Sequence, residues 1–280
     1  MRLAGKVKQF VLPPEDEETQ VVRLTGREYH YLCVVRRYGE GALIPARTAR
    51  GVPKTLILTE IGKDYCLGRV AEAPSHRQPE TSGPEAPEGA TGEPRIVLCQ
   101  ATLKGKRLDQ VVRQATEAGV HRVVPVVTRH AVSDPVAAGR GARKVERWRV
   151  IAKEAVQQSG RPTVPRVDEP RELEDLLPSF PDPPGGICMF FHESAAEAEP
   201  LHKTLLPEGE PPEEIWIIVG PEGGLSADEV AKLRRAGCVA GYLGPQVLRS
   251  ETAALYAVAA VKTVVREVET WALRESRDAQ

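Results

Sequence analysis

The sequence predicts a two-part chain: a small β-barrel followed by a mostly parallel α/β domain. Three observations carry this. Residues 1 to about 73 hold five short apolar runs separated by turn residues, and closing so many short strands into a barrel leaves no exposed edges. The stretch Pro74–Pro94, "PSHRQPETSGPEAPEGATGEP", contains no large apolar residue, can bury nothing and reads as a flexible linker. From Arg95 to Trp271, strand-like and helix-like patterns alternate, as in a sheet covered on both faces, and 272–280 reads as a tail.

In order, "KQFVL", "QVVRL", "GALIPA", "KTLILTEI" and "YCLGRV" are the barrel strands, with one short helical stretch in "TGREYHYLCVVRR". "RIVLCQAT" opens the second part as a buried strand. The helix "KRLDQVVRQATEAG" then puts Leu108, Val111, Val112, Ala115 and Ala118 on one face and closes at Gly119. "RVVPVVT" is a strand, and "RKVERWRVIAKEAVQQSG" an amphipathic helix with Trp148, Ile151, Ala152 and Ala155 inward. An acidic helix near Leu173 precedes the strands "GICMFFHE", "EIWIIVG" and "CVAGYLG". A last helix runs from about Ser250 to Trp271; through Val261 it has almost no polar face, which suggests a subunit interface.

Composition bounds the function. At 41% hydrophobic and 28% charged, the chain can build two cores. No apolar run approaches a membrane span, and "MRLAGKVKQF" has no long apolar signal core, so a cytoplasmic location is expected. Five scattered cysteines without a C-x-x-C pair read as small core residues, and the histidines show no ligand spacing, so no metal site is expected. Charge is unevenly spread. Lys104–Arg166 carries 14 Lys and Arg against 5 Asp and Glu, whereas Val167–Glu229 carries 2 against 16. The first stretch suits an anionic polymer, or is an ordinary solvated surface.

Three strand ends concentrate the candidate chemistry: "FFHES", "IIVGPEGGLS" and "YLGPQVLRSETAA". Ligands of parallel sheets lie beyond the carboxyl ends of the strands. Ser226 and Glu229 have capping-box spacing, so a helix should begin at Ala227 and Gly220, Gly223 and Gly224 fall in the turn before it. Glycines there admit positive φ and close approach of a ligand to the backbone. The turn has no Lys-Ser/Thr and no G-x-G-x-x-G spacing, and Glu222 would repel phosphate. It is either a tight turn without a ligand or a main-chain cradle for a neutral or cationic one.

"GPEGGLSADE", followed by "LGPQVLRSETAA", resembles the signature of the SPOUT methyltransferases, and more narrowly the RsmE family, which methylates N3 of a uridine in 16S ribosomal RNA. "KGKRLDQVVRQATEAGVHRVVPVVTRHAV", "IAKEAVQQSGRPTVPRV" and "HYLCVVRRYGEGALI" are similar to further segments of that family. The resemblance implies a trefoil-knotted domain behind a PUA-like barrel, working as a homodimer through its C-terminal helix. It implies S-adenosylmethionine as cofactor, on Phe191, His192, Glu193, Val219, Gly220, Pro221, Glu222, Gly223, Gly224, Leu243, Gly244, Val247, Leu248, Arg249, Thr252 and Ala253. Gln246 departs from the family, which carries a basic residue there; Gln keeps hydrogen bonding but loses a charge for RNA phosphate.

Uracil N3 carries a proton at neutral pH, so something must remove it or stabilise the resulting anion. Arg249 is the candidate for charge stabilisation. Glu222 and Glu251 are candidates for the base or for orienting that arginine; Glu251 also suits the first turn of a helix electrostatically. Arg23, Arg27, Arg36, Arg37, Lys104, Lys106, Arg107 and Arg161 are candidate contacts to 16S rRNA in the small subunit, and contacts to phosphate position an RNA without reading its sequence. The target base must be exposed or extruded. Methylation of a ribose 2′-hydroxyl, or RNA binding without catalysis, are the alternatives.

Overall fold

The computed structural model describes residues 9–13, 20–73, 93–131, 141–181, 185–192, 198–206 and 212–278, with side chains to residue 267. Most of the expected linker, residues 74–92, lies outside the described residues. Among those described, no helix is long and apolar enough to cross a membrane. The chain divides into two compact units, 1–83 with 153–164, and 84–152 with 165–280.

The first unit is a five-stranded sheet: β1 (Phe10–Val11), β2 (Val21–Thr25), β3 (Leu43–Arg47), β4 (Pro53–Ile61) and β5 (Tyr65–Glu72), paired in the order β1-β3-β4-β5-β2. Alternation sends Val22 and Leu24, Ile44 and Ala46, and Leu56 and Leu58 into one core with Phe10, Leu12 and Leu32. Among the described residues no ladder joins β1 to β2, so the expected closure is not made by strand pairing. The helical stretch is one α-turn, α1 (Gly26–Tyr29), continued by a π-type turn, His30–Val35. The segment Lys153–Val164 was expected to belong with 95–271 but goes with this unit. Lys153 lies 3.4 Å from Glu28, and Val164 N–H donates to the Ala49 carbonyl at 3.5 Å.

The second unit is a parallel sheet. Its strands are β6 (Arg95–Ala101), β7 (Arg122–Val127), β8 (Arg166–Val167), β9 (Arg171–Glu172), β10 (Gly186–Phe191), β11 (Glu214–Val219) and β12 (Val239–Gly241). They are ordered β12-β10-β11-β6-β7-β8, with β9 also on β7. β8 and β9 have two residues each, too few to show a period in the sequence. The helices are α2 (Arg107–Glu117), α3 (Gly141–Ser159, of which 141–152 belong to this unit), α4 (Leu173–Leu176), α5 (Leu201–Leu205), α6 (Ala227–Arg235) and α7 (Ser250–Asp278).

One sheet face packs Val97, Cys99, Cys188, Phe190, Trp216 and Ile218 against α4 and α6 residues Leu173, Leu176 and Leu233. α7 packs on α2 and lies along β6 and β11, burying Ala254, Ala257, Val258 and Val261. Both faces are therefore covered, which is why the strands read as continuous apolar runs. The cysteines are free; Cys66, Cys99, Cys188 and Cys238 are buried and Cys33 half-buried. Burial pushes the Cys66 thiol up to about 12, and also raises Cys99 and Cys188. The expected tail at 272–280 is corrected: α7 continues to Asp278, because "WALRESRD" contains good helix formers and no breaker.

Candidate active site in the glycine-turn cleft

β10, β11 and β12 are parallel neighbours, so their carboxyl ends reach one edge together. Phe191 stands in register with both Val219 and Gly241, and Val219 with Gln100 of β6. Beyond this row the connecting loops and the start of α7 enclose a cleft of about 590 Å³. Of the expected cofactor residues, Phe191, His192, Val219, Gly220, Pro221, Glu222, Gly223, Gly224, Leu243, Gly244, Val247, Leu248, Arg249 and Ala253 line it. Arg107, Leu225, Gln246 and Ser250 complete the lining. Thr252 is exposed on α7 outside it, and Glu193 lies outside the described residues.

The glycine turn is closed by Gly224 N–H donating to the Pro221 carbonyl at 3.0 Å, with Gly224 at φ +71°. A side chain on Gly223 would meet His130, whose Nδ1 lies 3.2 Å from the Gly223 and Gly224 carbonyls. α6 starts at Ala227, as the capping box predicts. Ser226 Oγ accepts from Glu229 N–H at 3.3 Å, and Glu229 Oε2 accepts from Ser226 N–H and Oγ–H at 2.7 and 2.8 Å. Glu229 Oε1 accepts from Arg129 N–H at 2.8 Å, so this buried carboxylate is fully engaged and ties the turn to the end of β7. Ser226→Ala removes two of these contacts, the cap on Glu229 N–H and the hydroxyl donation to Glu229 Oε2. We expect a loss of about 1–2 kcal/mol, read as a melting point a few degrees lower; an unchanged melting point would contradict it.

Gln100 is the one polar residue inside the apolar run of β6 and is fully buried. A buried amide without partners costs on the order of 1–3 kcal/mol. Here Nε2 donates to Ser250 Oγ at 3.0 Å, and Ser250 Oγ–H donates to the Gly220 carbonyl at 2.5 Å. The relay pins the first peptide of the glycine turn to the start of α7. The sequence reading missed Gln100, Ser250 and His130. A lone Gln in a buried strand was a signal; His130 had none, because its partners are distant in the chain.

The charged candidates separate. The Arg249 side chain is exposed and makes no ion pair or hydrogen bond among the described residues. Glu222 accepts from Arg107 Nη1 at 2.8 Å and from Lys104 N–H at 3.3 Å. Glu251 Oε1 lies 3.8 Å from Arg107 Nε, while its buried Oε2 has no hydrogen-bond partner among the described residues. Both carboxylates therefore face Arg107 rather than Arg249. Lys104 and Lys106 are exposed.

In the first unit, Arg23 stacks over Tyr65 at 4.6 Å and Arg36 over Tyr38 at 5.6 Å. Arg27 is exposed, as is Arg37, whose φ of 56° is in the left-handed region. Arg161 is half-buried, and desolvation pushes its guanidinium down to about 10, so it stays cationic at neutral pH.

The sheet and its cleft define a protein of the RNA methyltransferase class: residues 91–262 match the family described as "RNA methyltransferase domain", and the chain belongs to that family. Within it, the chain is 30% identical over 250 residues to the ribosomal RNA small subunit methyltransferase E of Bacillus subtilis, spanning 88% of this chain and 91% of that protein. The Mycobacterium tuberculosis protein of the same name is 33% identical over 172 residues, 60% of this chain and 63% of that one. The fold is shared with the crystal structure of ribosomal RNA small subunit methyltransferase E from Neisseria gonorrhoeae bound to S-adenosyl methionine. The two are 27% identical with a TM-score of 0.73, over 92% of this chain and 98% of that one.

Proposed function

We propose that this chain is an S-adenosylmethionine-dependent methyltransferase acting on N3 of a uridine in the 16S RNA of the small ribosomal subunit. The observation that carries it is the cleft itself: three adjacent strand ends, a glycine turn and an Arg249 side chain without a partner among the described residues meet in one space. About 590 Å³ is within the range of small-molecule sites, roughly 300–1,000 Å³. The lining fits the cofactor: Phe191, Leu243, Val247 and Leu248 offer apolar surface to an adenine, and the turn offers main-chain atoms where phosphate-binding residues are absent.

When bound, S-adenosylmethionine supplies the electrophilic methyl group. The chain's own residues position the uracil and manage its charge. Arg249, which pairs with no carboxylate among the described residues, donates to the anion that forms as N3 loses its proton. Glu222 is the candidate acceptor for that proton. Glu251 holds Arg107 from the far side and orients it rather than Arg249.

The reading extends to the rest of the chain. The second unit would carry the trefoil knot, a rare exception to unknotted chains; β12 returning to pair with β10 and α7 running back under β6 and β11 support such a path. The first unit would be a PUA-like module whose arginines hold RNA, and the second unit the methyltransferase domain. The exposed face of α7, including Tyr256, would pair two copies, and the enzyme would work in the cytoplasm.

The test is transfer of labelled methyl to small subunits lacking their modifications, followed by nucleoside analysis. Label in 3-methyluridine is expected. Label in a 2′-O-methyl nucleoside would overturn the choice of atom, and binding without transfer the catalytic reading. Ser250→Ala, which cuts the relay to Gly220, is expected to weaken cofactor binding about tenfold by calorimetry, and Ser250→Thr to recover most of it. Equal binding by the alanine variant would show that the turn needs no such anchor.

A further inference from the structure

We propose that Arg107 is a positioning residue of the cofactor cleft, clamping Glu222 on the glycine turn to Glu251 on α7, and not merely a contact for RNA backbone. The inference rests on the reading of the cleft as an S-adenosylmethionine site. Lys104, Lys106 and Arg107 form one basic segment at the start of α2, and the sequence gives them the same role. The structure divides them. All three are exposed, but the two lysines form no ion pairs among the described residues, whereas Arg107 lines the cleft and pairs with carboxylates there.

Arg107 Nη1 is 2.8 Å from Glu222 Oε1, and Nε is 3.8 Å from Glu251 Oε1. The carboxylates come from segments 29 residues apart in sequence, and among the described residues neither pairs with any other cationic side chain. A guanidinium can serve two acceptors from one planar fork; an ammonium is a single point charge. Lys104 N–H adds a main-chain donor to the same Glu222 oxygen at 3.3 Å. The start of α2 thus grips the glycine turn at its only acidic residue.

Without Arg107, Glu222 keeps only the backbone donor, and two carboxylates that each lay within 4 Å of one cation repel each other. The turn that cradles the cofactor should then loosen. A residue serving RNA alone would not change cofactor binding in the absence of RNA.

The experiment measures S-adenosylmethionine binding by calorimetry, without RNA, to the full chain and to Arg107→Gln, Arg107→Lys, Glu222→Gln and the Arg107→Gln/Glu222→Gln double variant. Circular dichroism checks folding. Expected are a Kd roughly tenfold higher for Arg107→Gln, a smaller rise for Arg107→Lys, and a double variant no weaker than the worse single one. An unchanged Kd for Arg107→Gln, with only the KM for RNA raised, overturns the proposal; so do strictly additive effects in the double variant. If Arg107→Gln fails to fold, the Arg107→Lys and Glu222→Gln affinities decide. If the unaltered chain does not bind S-adenosylmethionine, the functional reading falls and takes this inference with it.

Discussion

Arg249→Ala is expected to lower the rate of methyl transfer by at least about a hundredfold, the usual cost of deleting a donor aimed at developing charge. The melting point should barely move. The asymmetry follows from the surroundings of the side chain. It is exposed and pairs with nothing among the described residues, so truncation strands no buried partner and leaves no cavity. Its main chain does structural work, the carbonyl accepting from Thr252 and Ala253 N–H at 2.9 and 2.8 Å, and alanine keeps that. Arg249→Lys should recover part of the rate, since it restores charge but not the planar fork. Transfer within threefold of the unaltered protein would remove Arg249 from the mechanism and return attention to Glu222.

The local features of this fold were legible because each is set by neighbours in the chain. The start of α6 at Ala227 follows from Ser226 and Glu229 alone, and β6, β10 and β11 follow from apolar runs between turn residues. The three strand ends could be named as a site because a parallel sheet brings its carboxyl ends to one edge, whatever its strand order. Longer-range features were not legible. Nothing within residues 141–159 says that α3 begins in one compact unit and ends in the other.

The site divides along the same line. The residues named from the motifs are those that turn with the backbone. Those missed act through partners far away: Gln100 across 150 residues to Ser250, His130 across 93 to Gly223. Arg107 was placed in a basic segment correctly, but its role depends on Glu222, 115 residues on. A charge count sees a cation; it does not see what the cation faces.

Gly241→Ala is expected to raise the Kd for S-adenosylmethionine by about ten- to a hundredfold while the chain still folds. No unusual backbone angle demands this glycine. Its neighbour does: a Cβ there would sit 2.6 Å from Cε1 and 2.9 Å from Cδ1 of Phe191. The strand cannot easily retreat, because Gly241 is in register with Phe191 and its carbonyl accepts from His192 N–H at 3.3 Å. Phe191 is in turn held by pairing with Val219 on its other side. The ring must therefore move, and it lines the cleft. Shortening that side chain should undo the damage, so Phe191→Leu/Gly241→Ala should bind better than Gly241→Ala alone. The two positions should show a coupling of about 0.5–3 kcal/mol, as contacting residues do. Independent, additive losses would mean that the glycine matters for the strand rather than for the space beside the ring.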